Sequence, residues 1–189
     1  TIYQGGRVPW FGTQLVNGNS LIGARRQCYN VKQLSANRAP GRWFDAAPQR
    51  IPPGGTRDAE KQVYHFLLGD PGMADYNDAV IKSLAPEKIK QIKAWRTEFL
   101  KPCSGDEIAT LLRLSSCIDR LWDKQLQLRR EVRDETSDPL NIFGHTEGEE
   151  TERTTIREKD TIFHRLYKTE AMQNAGPYAR LKFAMDYWC

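Results

Sequence analysis

The sequence predicts a mainly α-helical fold: an irregular helical bundle with an extended, glycine- and proline-rich N-terminal arm. Two observations support this prediction. After residue 57, apolar residues recur at helical spacing in several segments. Residues 1–57 are instead dense in glycine and proline, which interrupt helices. We therefore expect an extended basic arm over residues 1–57, with possible short strands, and a helical domain over residues 58–189.

The composition is typical of a soluble globular protein, with 39% hydrophobic and 28% charged residues. No apolar run reaches the roughly 18 residues that a membrane helix needs. The first residues lack the features of a secretion signal, so we expect a cytoplasmic protein. The chain starts without Met and stops inside an apolar helical pattern, which indicates a piece of a larger protein. The four cysteines and three histidines show no zinc spacing, so no metal site is predicted.

The arm carries a net positive charge larger than that of the whole chain. It holds eight basic residues and the single acidic residue Asp45, a net charge of +7, whereas the whole chain carries +4. Short strands are predicted at 13–16 and 20–24, on either side of a turn at 17–19. A basic arm on a nearly neutral body indicates a polyanionic partner.

Helices are predicted in order along the domain. Asp58 can cap a helix that ends before Gly69, and a short helix follows over residues 75–84. Pro86 suits the first position of the next helix, whose apolar residues include Trp95 and Phe99. After a loop over 137–151, a helix is predicted at 154–174, and the last helix follows Pro177.

The longest helix is predicted from the capping box Ser104–Glu107 to about Thr136. Its apolar positions alternate by four and three residues, which is typical of a heptad seam that packs on another helix. The seam comprises Leu111, Leu114, Ile118, Leu121, Gln125, Leu128 and Val132. A seam left open would make the chain a helical protein–protein interaction module, which is the alternative function.

No independent active site is predicted. The sequence has neither a glycine-rich phosphate loop nor a nucleophile elbow. His164 follows Asp160 by four residues, a pair that is more often a surface contact than a general base. His65 lies beside the apolar face of its predicted helix and is interpreted as a packing residue. We therefore expect no catalytic residue in this chain.

The segment Gly18-Asn19-Ser20-Leu21-Ile22-Gly23 resembles a GNSLIG-like segment of large adenine-N6 DNA methyltransferases of the restriction-modification and phage-defence type. In that family the segment follows a strand of the Rossmann-like catalytic domain, and its polar residue approaches the adenine of S-adenosylmethionine. The resemblance gives this cofactor-binding role to Asn19, supported by Ser20. Residues 177–189 are similar to a helix of the same enzymes.

The family's cofactor-binding glycine motif and its Asn-Pro-Pro-aromatic loop are both absent from this sequence. The resemblance therefore implies a non-catalytic helical insertion or accessory segment of an S-adenosylmethionine-dependent enzyme. Its expected partners are DNA, the remainder of the parent methyltransferase and a possible helical protein.

The arm interleaves arginines with aromatic residues, and this pattern suits contact with phosphates and exposed bases. The predicted nucleic-acid-binding residues are Arg25, Arg26, Arg38, Arg42, Trp43 and Arg50.

Overall fold

The computed structural model describes residues 10–12, 15, 23–35, 42–137 and 154–188. The chain divides into two units. The first, here the sheet unit, comprises Leu21–Arg120 and Lys182–Cys189. The second, here the helical unit, comprises Thr1–Ser20 and Leu121–Leu181. The fold is mainly helical, which confirms the predicted class.

Three short strands form an antiparallel sheet in the sheet unit. They are β1 (Gln27–Asn30), β2 (Gln49–Arg50) and β3 (Gln62–Tyr64), in the spatial order β2-β1-β3. In the register, Gln27 lies opposite Arg50 and Tyr29 lies opposite Val63. The central strand therefore joins two segments that are distant in sequence.

The core of the sheet unit lies against this sheet. Asn30 caps the short helix α1 (Val31–Leu34) by accepting a hydrogen bond from the Lys32 amide at 2.9 Å. The buried core cluster comprises Tyr29, Leu34, Trp43, Val63, Leu68 and Leu100. The sequence predicts an extended basic arm over residues 1–57, but half of these buried side chains come from that segment. Its described part therefore shares a core with later residues.

The prediction of a helix that starts at Asp58 is wrong. This stretch instead forms β3 followed by a short 3-10 helix over His65–Leu67. Residues 63–66 are all buried, and periodicity alone cannot assign such a continuously buried stretch to helix or strand. Pairing with β1 decides the outcome, because the backbone groups of β3 find their partners there.

The next two helices lie where the sequence predicts helices, and one of them is shorter than predicted. Helix α2 (Ala79–Leu84) starts after Asp78, whose carboxylate accepts hydrogen bonds from the amides of Val80 and Ile81. It is therefore shorter than predicted at its start. Helix α3 (Pro86–Phe99) begins at Pro86, as predicted.

Helix α4 (Gly105–Thr136) is the predicted long helix. The capping box is confirmed: the Ser104 amide donates to Glu107 Oε2 at 2.7 Å, and the Glu107 amide donates to Ser104 Oγ at 3.3 Å. Along the seam, Ile118, Gln125 and Val132 are buried, whereas Leu114 is 41% exposed.

The remaining helices follow after residue 153. They are α5 (Ile156–Phe163), a π-helical turn over His164–Lys168, α6 (Glu170–Ala175) and α7 (Pro177–Trp188). The helix predicted at 154–174 is thus interrupted at Thr169, whose extended backbone (φ −64°, ψ 148°) starts a new helix. In the described part of the chain, none of the helices combines the length and apolar character needed to cross a membrane.

Three predicted segments lie mostly outside the described residues: the strands at 13–16 and 20–24 and the loop at 137–151. Residues 15, 23 and 24 of the predicted strands are described, and they do not belong to a strand.

Candidate functional site

A buried arginine connects two segments of the sheet unit. The Arg57 side chain is fully buried. Its Nε and Nη2 donate to Asp119 Oδ2 on α4 at 3.1 and 2.6 Å. Its Nη1 donates to three backbone carbonyls, those of Asp58, Ala59 and Gln62. A guanidinium can be buried at acceptable cost only when its donors are satisfied in this way.

The same carboxylate also binds the sheet. The Tyr64 hydroxyl on β3 donates to Asp119 Oδ1 at 2.8 Å. Burial, and then this hydrogen bond, raise the pKa of Tyr64 above its usual range, so the phenol stays protonated. The Tyr64 amide donates to Ser115 Oγ at 3.2 Å. The Arg57–Asp119–Tyr64 cluster therefore joins β3 to α4, and its polar groups are used within the fold.

Sequence reasoning missed this cluster. Arg57 counted only as one basic residue of the arm, and Asp119 carried no local signal. The two residues lie 62 positions apart, so no short motif could have connected them.

Two predicted DNA-contacting residues, Arg25 and Arg50, are exposed on the sheet unit. Arg50 lies on β2 opposite Gln27, and Arg25 precedes β1 at the same end of this two-stranded ladder. The ladder continues beyond Arg50, because the Ile51 amide donates to the Arg26 carbonyl at 3.0 Å. Neither Arg25 nor Arg50 forms an ion pair within the described ranges.

The other predicted residues have different surroundings. Arg42 is exposed, lies 3.2 Å from Asp45 Oδ1 and places its guanidinium 4.6 Å from the centre of the Phe44 ring. Arg26 is partly buried, and its side chain forms a hydrogen bond with the Tyr64 hydroxyl. Arg38 lies outside the described residues.

Trp43 is buried, with 6% of its surface exposed. Its Nε1 donates to the Leu100 carbonyl at 3.1 Å, and its ring packs edge-on against Tyr29 at 5.2 Å. A stacking residue must present a free ring face to a base. Trp43 does not present one in this position, so the structure gives it a packing role in place of the predicted contact.

The residues predicted to approach S-adenosylmethionine, Asn19 and Ser20, lie outside the described residues. Within the described segments, no group of three His, Cys, Asp or Glu side chains could hold a metal ion. Cys28 is buried, and this burial raises the pKa of its thiol to about 12. The thiol is therefore protonated at neutral pH and is a poor nucleophile.

His65 is the packing residue that the sequence predicts, with 7% of its surface exposed. Its Nε2 lies 3.1 Å from the Arg25 amide nitrogen and 2.8 Å from the Arg25 carbonyl oxygen. Its ring packs edge-on against Trp188 at 4.8 Å. Burial lowers the pKa of His65, and this effect exceeds the opposing influences of the Arg25 carbonyl and Asp70.

This burial predicts a pH-dependent stability. The unfolded chain binds the His65 proton more tightly than the folded chain, so unfolding takes up a proton. The stabilisation is complete above the unfolded pKa of about 6.5 and is lost as pH falls toward the lower folded pKa. We expect His65→Gln to flatten the decrease in stability between pH 7 and pH 5, measured by urea unfolding at each pH.

The matched variant His164→Gln, at an exposed position, should keep the wild-type slope. Equal slopes for wild type and His65→Gln would contradict the expectation.

Asp160 and His164 do not form the hydrogen-bonded pair that a general base would use. In the helical unit, Asp160 Oδ1 instead accepts a hydrogen bond from Trp10 Nε1 at 2.8 Å. Phe163 lies beside Trp10, with ring centres 5.9 Å apart. His145 lies outside the described residues.

Comparison of the chain with protein-family models, with curated proteins and with solved structures gives no match. Two features therefore remain as guides to function. One is the Arg57–Asp119–Tyr64 cluster, whose side chains hydrogen-bond to one another within the fold. The other is the exposed pair Arg25 and Arg50, which has positive charge available for a partner.

Proposed function

We propose that this chain is a non-catalytic helical segment of an S-adenosylmethionine-dependent adenine-N6 DNA methyltransferase, of the kind used in bacterial restriction or phage defence. In this proposal it contacts DNA through Arg25 and Arg50. The observation that carries the proposal is the exposure of both arginines at one end of the β1–β2 ladder, without an ion pair in the described part of the chain. The GNSLIG-like segment at 18–23, which ends two residues before Arg25, supplies the resemblance to the family.

The geometry suits a phosphate backbone. Guanidinium groups form paired, charge-assisted hydrogen bonds with phosphate oxygens. The backbone is held at both positions, since Arg50 pairs with Gln27 and the Arg25 backbone contacts His65 Nε2. Ordering these arginines on binding therefore costs less entropy than ordering two residues of an unpaired loop. Arg42 can join them, since its exposed ion pair with Asp45 contributes little to stability and opens easily.

The non-catalytic part of the proposal follows from chemistry. The polar groups of Arg57, Asp119 and Tyr64 hydrogen-bond to one another, and the Cys28 thiol is protonated, so none of them is a nucleophile or base for methyl transfer. Methyl transfer would therefore depend on residues of the parent enzyme that this sequence lacks. Asn19 and Ser20 would reach only the adenine of the cofactor.

Binding to DNA tests the proposal. We expect the chain to bind a fluorescently labelled duplex of about 20 base pairs, followed by anisotropy at low salt. The double variant Arg25→Ala/Arg50→Ala should weaken binding by about tenfold or more, because it removes two phosphate contacts.

The matched control is Lys88→Ala/Lys90→Ala, which removes the same charge from exposed positions on α3. This control should bind within about twofold of wild type if contact is confined to the arginines. Equal losses in the two double variants, or no binding at low salt, would contradict DNA contact through Arg25 and Arg50.

The alternative function, a helical interaction module, depends on the seam from Leu111 to Val132. Ile118, Gln125 and Val132 are buried within the chain itself, so these positions are not open to a partner helix. We therefore expect light scattering to give a monomer at micromolar concentration.

A dimer that dissociates on Leu114→Glu, a change at the exposed seam position, would favour the alternative. The exposed Leu126→Glu, one residue from the seam, serves as the control.

A further inference from the structure

A cleft of about 310 Å³ lies in the sheet unit, between the loop before α2 and one side of α3. Its apolar lining includes Tyr76, Ile89 and Ile92, and its charged lining includes Asp75, Lys93 and Arg96. The volume is at the small end of the range for ligand pockets. It suits one side chain or a short stretch of peptide.

Arg96 keeps part of its side chain open to solvent at this cleft. Its Nη2 donates to the Pro71 carbonyl and lies 3.7 Å from Asp75 Oδ2. The side chain is still 25% exposed, so these partners do not cover the guanidinium completely. A carboxylate that enters the cleft would form a charge-assisted hydrogen bond with the exposed part of the guanidinium.

The surroundings of the cleft are apolar and exposed. Tyr76, at its edge, is 45% exposed, and Val80, Ile81 and Leu84 on the adjoining helix α2 are all exposed. Such a group of large exposed apolar residues is typical of a protein-binding surface. It extends beyond what a small carboxylate inside the cleft could cover.

The charge of α3 indicates what kind of protein binds. The helix carries four basic residues against two acidic ones, so its charge is positive overall: Lys88, Lys90, Lys93 and Arg96 against Glu87 and Glu98. A second copy of the chain would bring the same positive charges to the interface and be repelled. An acidic partner would instead be attracted.

We propose that the cleft and α2 form a docking surface for an acidic, amphipathic segment of a partner protein. One Asp or Glu carboxylate of the partner pairs with the exposed part of the Arg96 guanidinium. Its apolar side chains cover Tyr76 and the exposed residues of α2, as in other grooves that bind amphipathic helices. This docking is separate from DNA contact and stands whether or not Arg25 and Arg50 bind phosphate.

Selection from a phage-displayed library of random 16-residue peptides tests the proposal with the intact chain as target. We expect the enriched peptides to combine Asp or Glu with Leu, Phe or Trp. A synthetic peptide from this set should bind at least tenfold more weakly to Arg96→Gln. The control Arg113→Gln makes the same change at an exposed position on α4 outside the cleft and should bind like wild type.

Two further experiments test the proposal even if Arg96→Gln disturbs the fold. The peptide with its acidic residues changed to the matching amides should bind the unmodified chain at least tenfold more weakly. Val80→Ser/Leu84→Ser, at exposed positions, should weaken binding similarly. No enriched peptide, enrichment without acidic residues, or equal binding of the amide peptide would overturn the proposal. Binding of a single-stranded oligonucleotide that is lost in the same variants would overturn it as well.

Discussion

Replacing Arg57 with Ala should lower the free energy of unfolding by about 3–5 kcal/mol. The change leaves the Asp119 carboxylate, which is only 32% exposed, without its cationic partner. It also leaves the backbone carbonyls of Asp58, Ala59 and Gln62 without the donor they share. Urea unfolding followed by circular dichroism measures the loss.

The control for this experiment is Arg25→Ala, which removes the same type of side chain from an exposed position. It should change stability by no more than about 0.5 kcal/mol. Tyr64→Phe provides an intermediate case, because it removes only the hydroxyl that donates to Asp119. A loss below about 1 kcal/mol for Arg57→Ala would mean that the cluster does not hold β3 to α4.

Replacing Trp43 with Ala should cost about 3–5 kcal/mol, the usual cost of truncating a large buried aromatic residue. The ring belongs to the core of the sheet unit, and its Nε1 satisfies the Leu100 carbonyl. Urea unfolding of the variant measures this cost.

Trp95→Ala is the matched control, since Trp95 is 47% exposed and packs mainly against Phe99, with ring centres 4.7 Å apart. It should cost less than about 1 kcal/mol. If Trp43→Ala instead kept full stability and weakened DNA binding, Trp43 would have the base-stacking role that the sequence predicts, and its burial in the core would be contradicted.

The helices were the most predictable part of the fold because their signals are local. The capping box at Ser104–Glu107 and the position of Pro86 each depend on neighbouring residues, and both helices begin where expected. Strand β3 was not predictable in this way. Its residues pair with β1, and nothing in the sequence between residues 58 and 67 indicates that partner.

In the candidate site, too, only the residues whose role depends on local properties could be predicted from the sequence. Arg25 and Arg50 could be proposed from charge alone, because exposure is the ordinary state of arginine. The burial of Trp43 and Arg57 depends on distant residues, Leu100 in one case and Asp119 in the other. Arginine and tryptophan can therefore each be exposed or buried, and the tertiary contacts determine which.

The salt dependence of DNA binding is the most direct test of the proposed function. The slope of log binding constant against log salt concentration reports the number of phosphates contacted, about 0.9 for each one on duplex DNA. We expect Arg25→Ala/Arg50→Ala to reduce the magnitude of this slope by about 1.8. Lys88→Ala/Lys90→Ala should leave the slope unchanged. Equal slopes for wild type and the arginine double variant would contradict phosphate contact by Arg25 and Arg50.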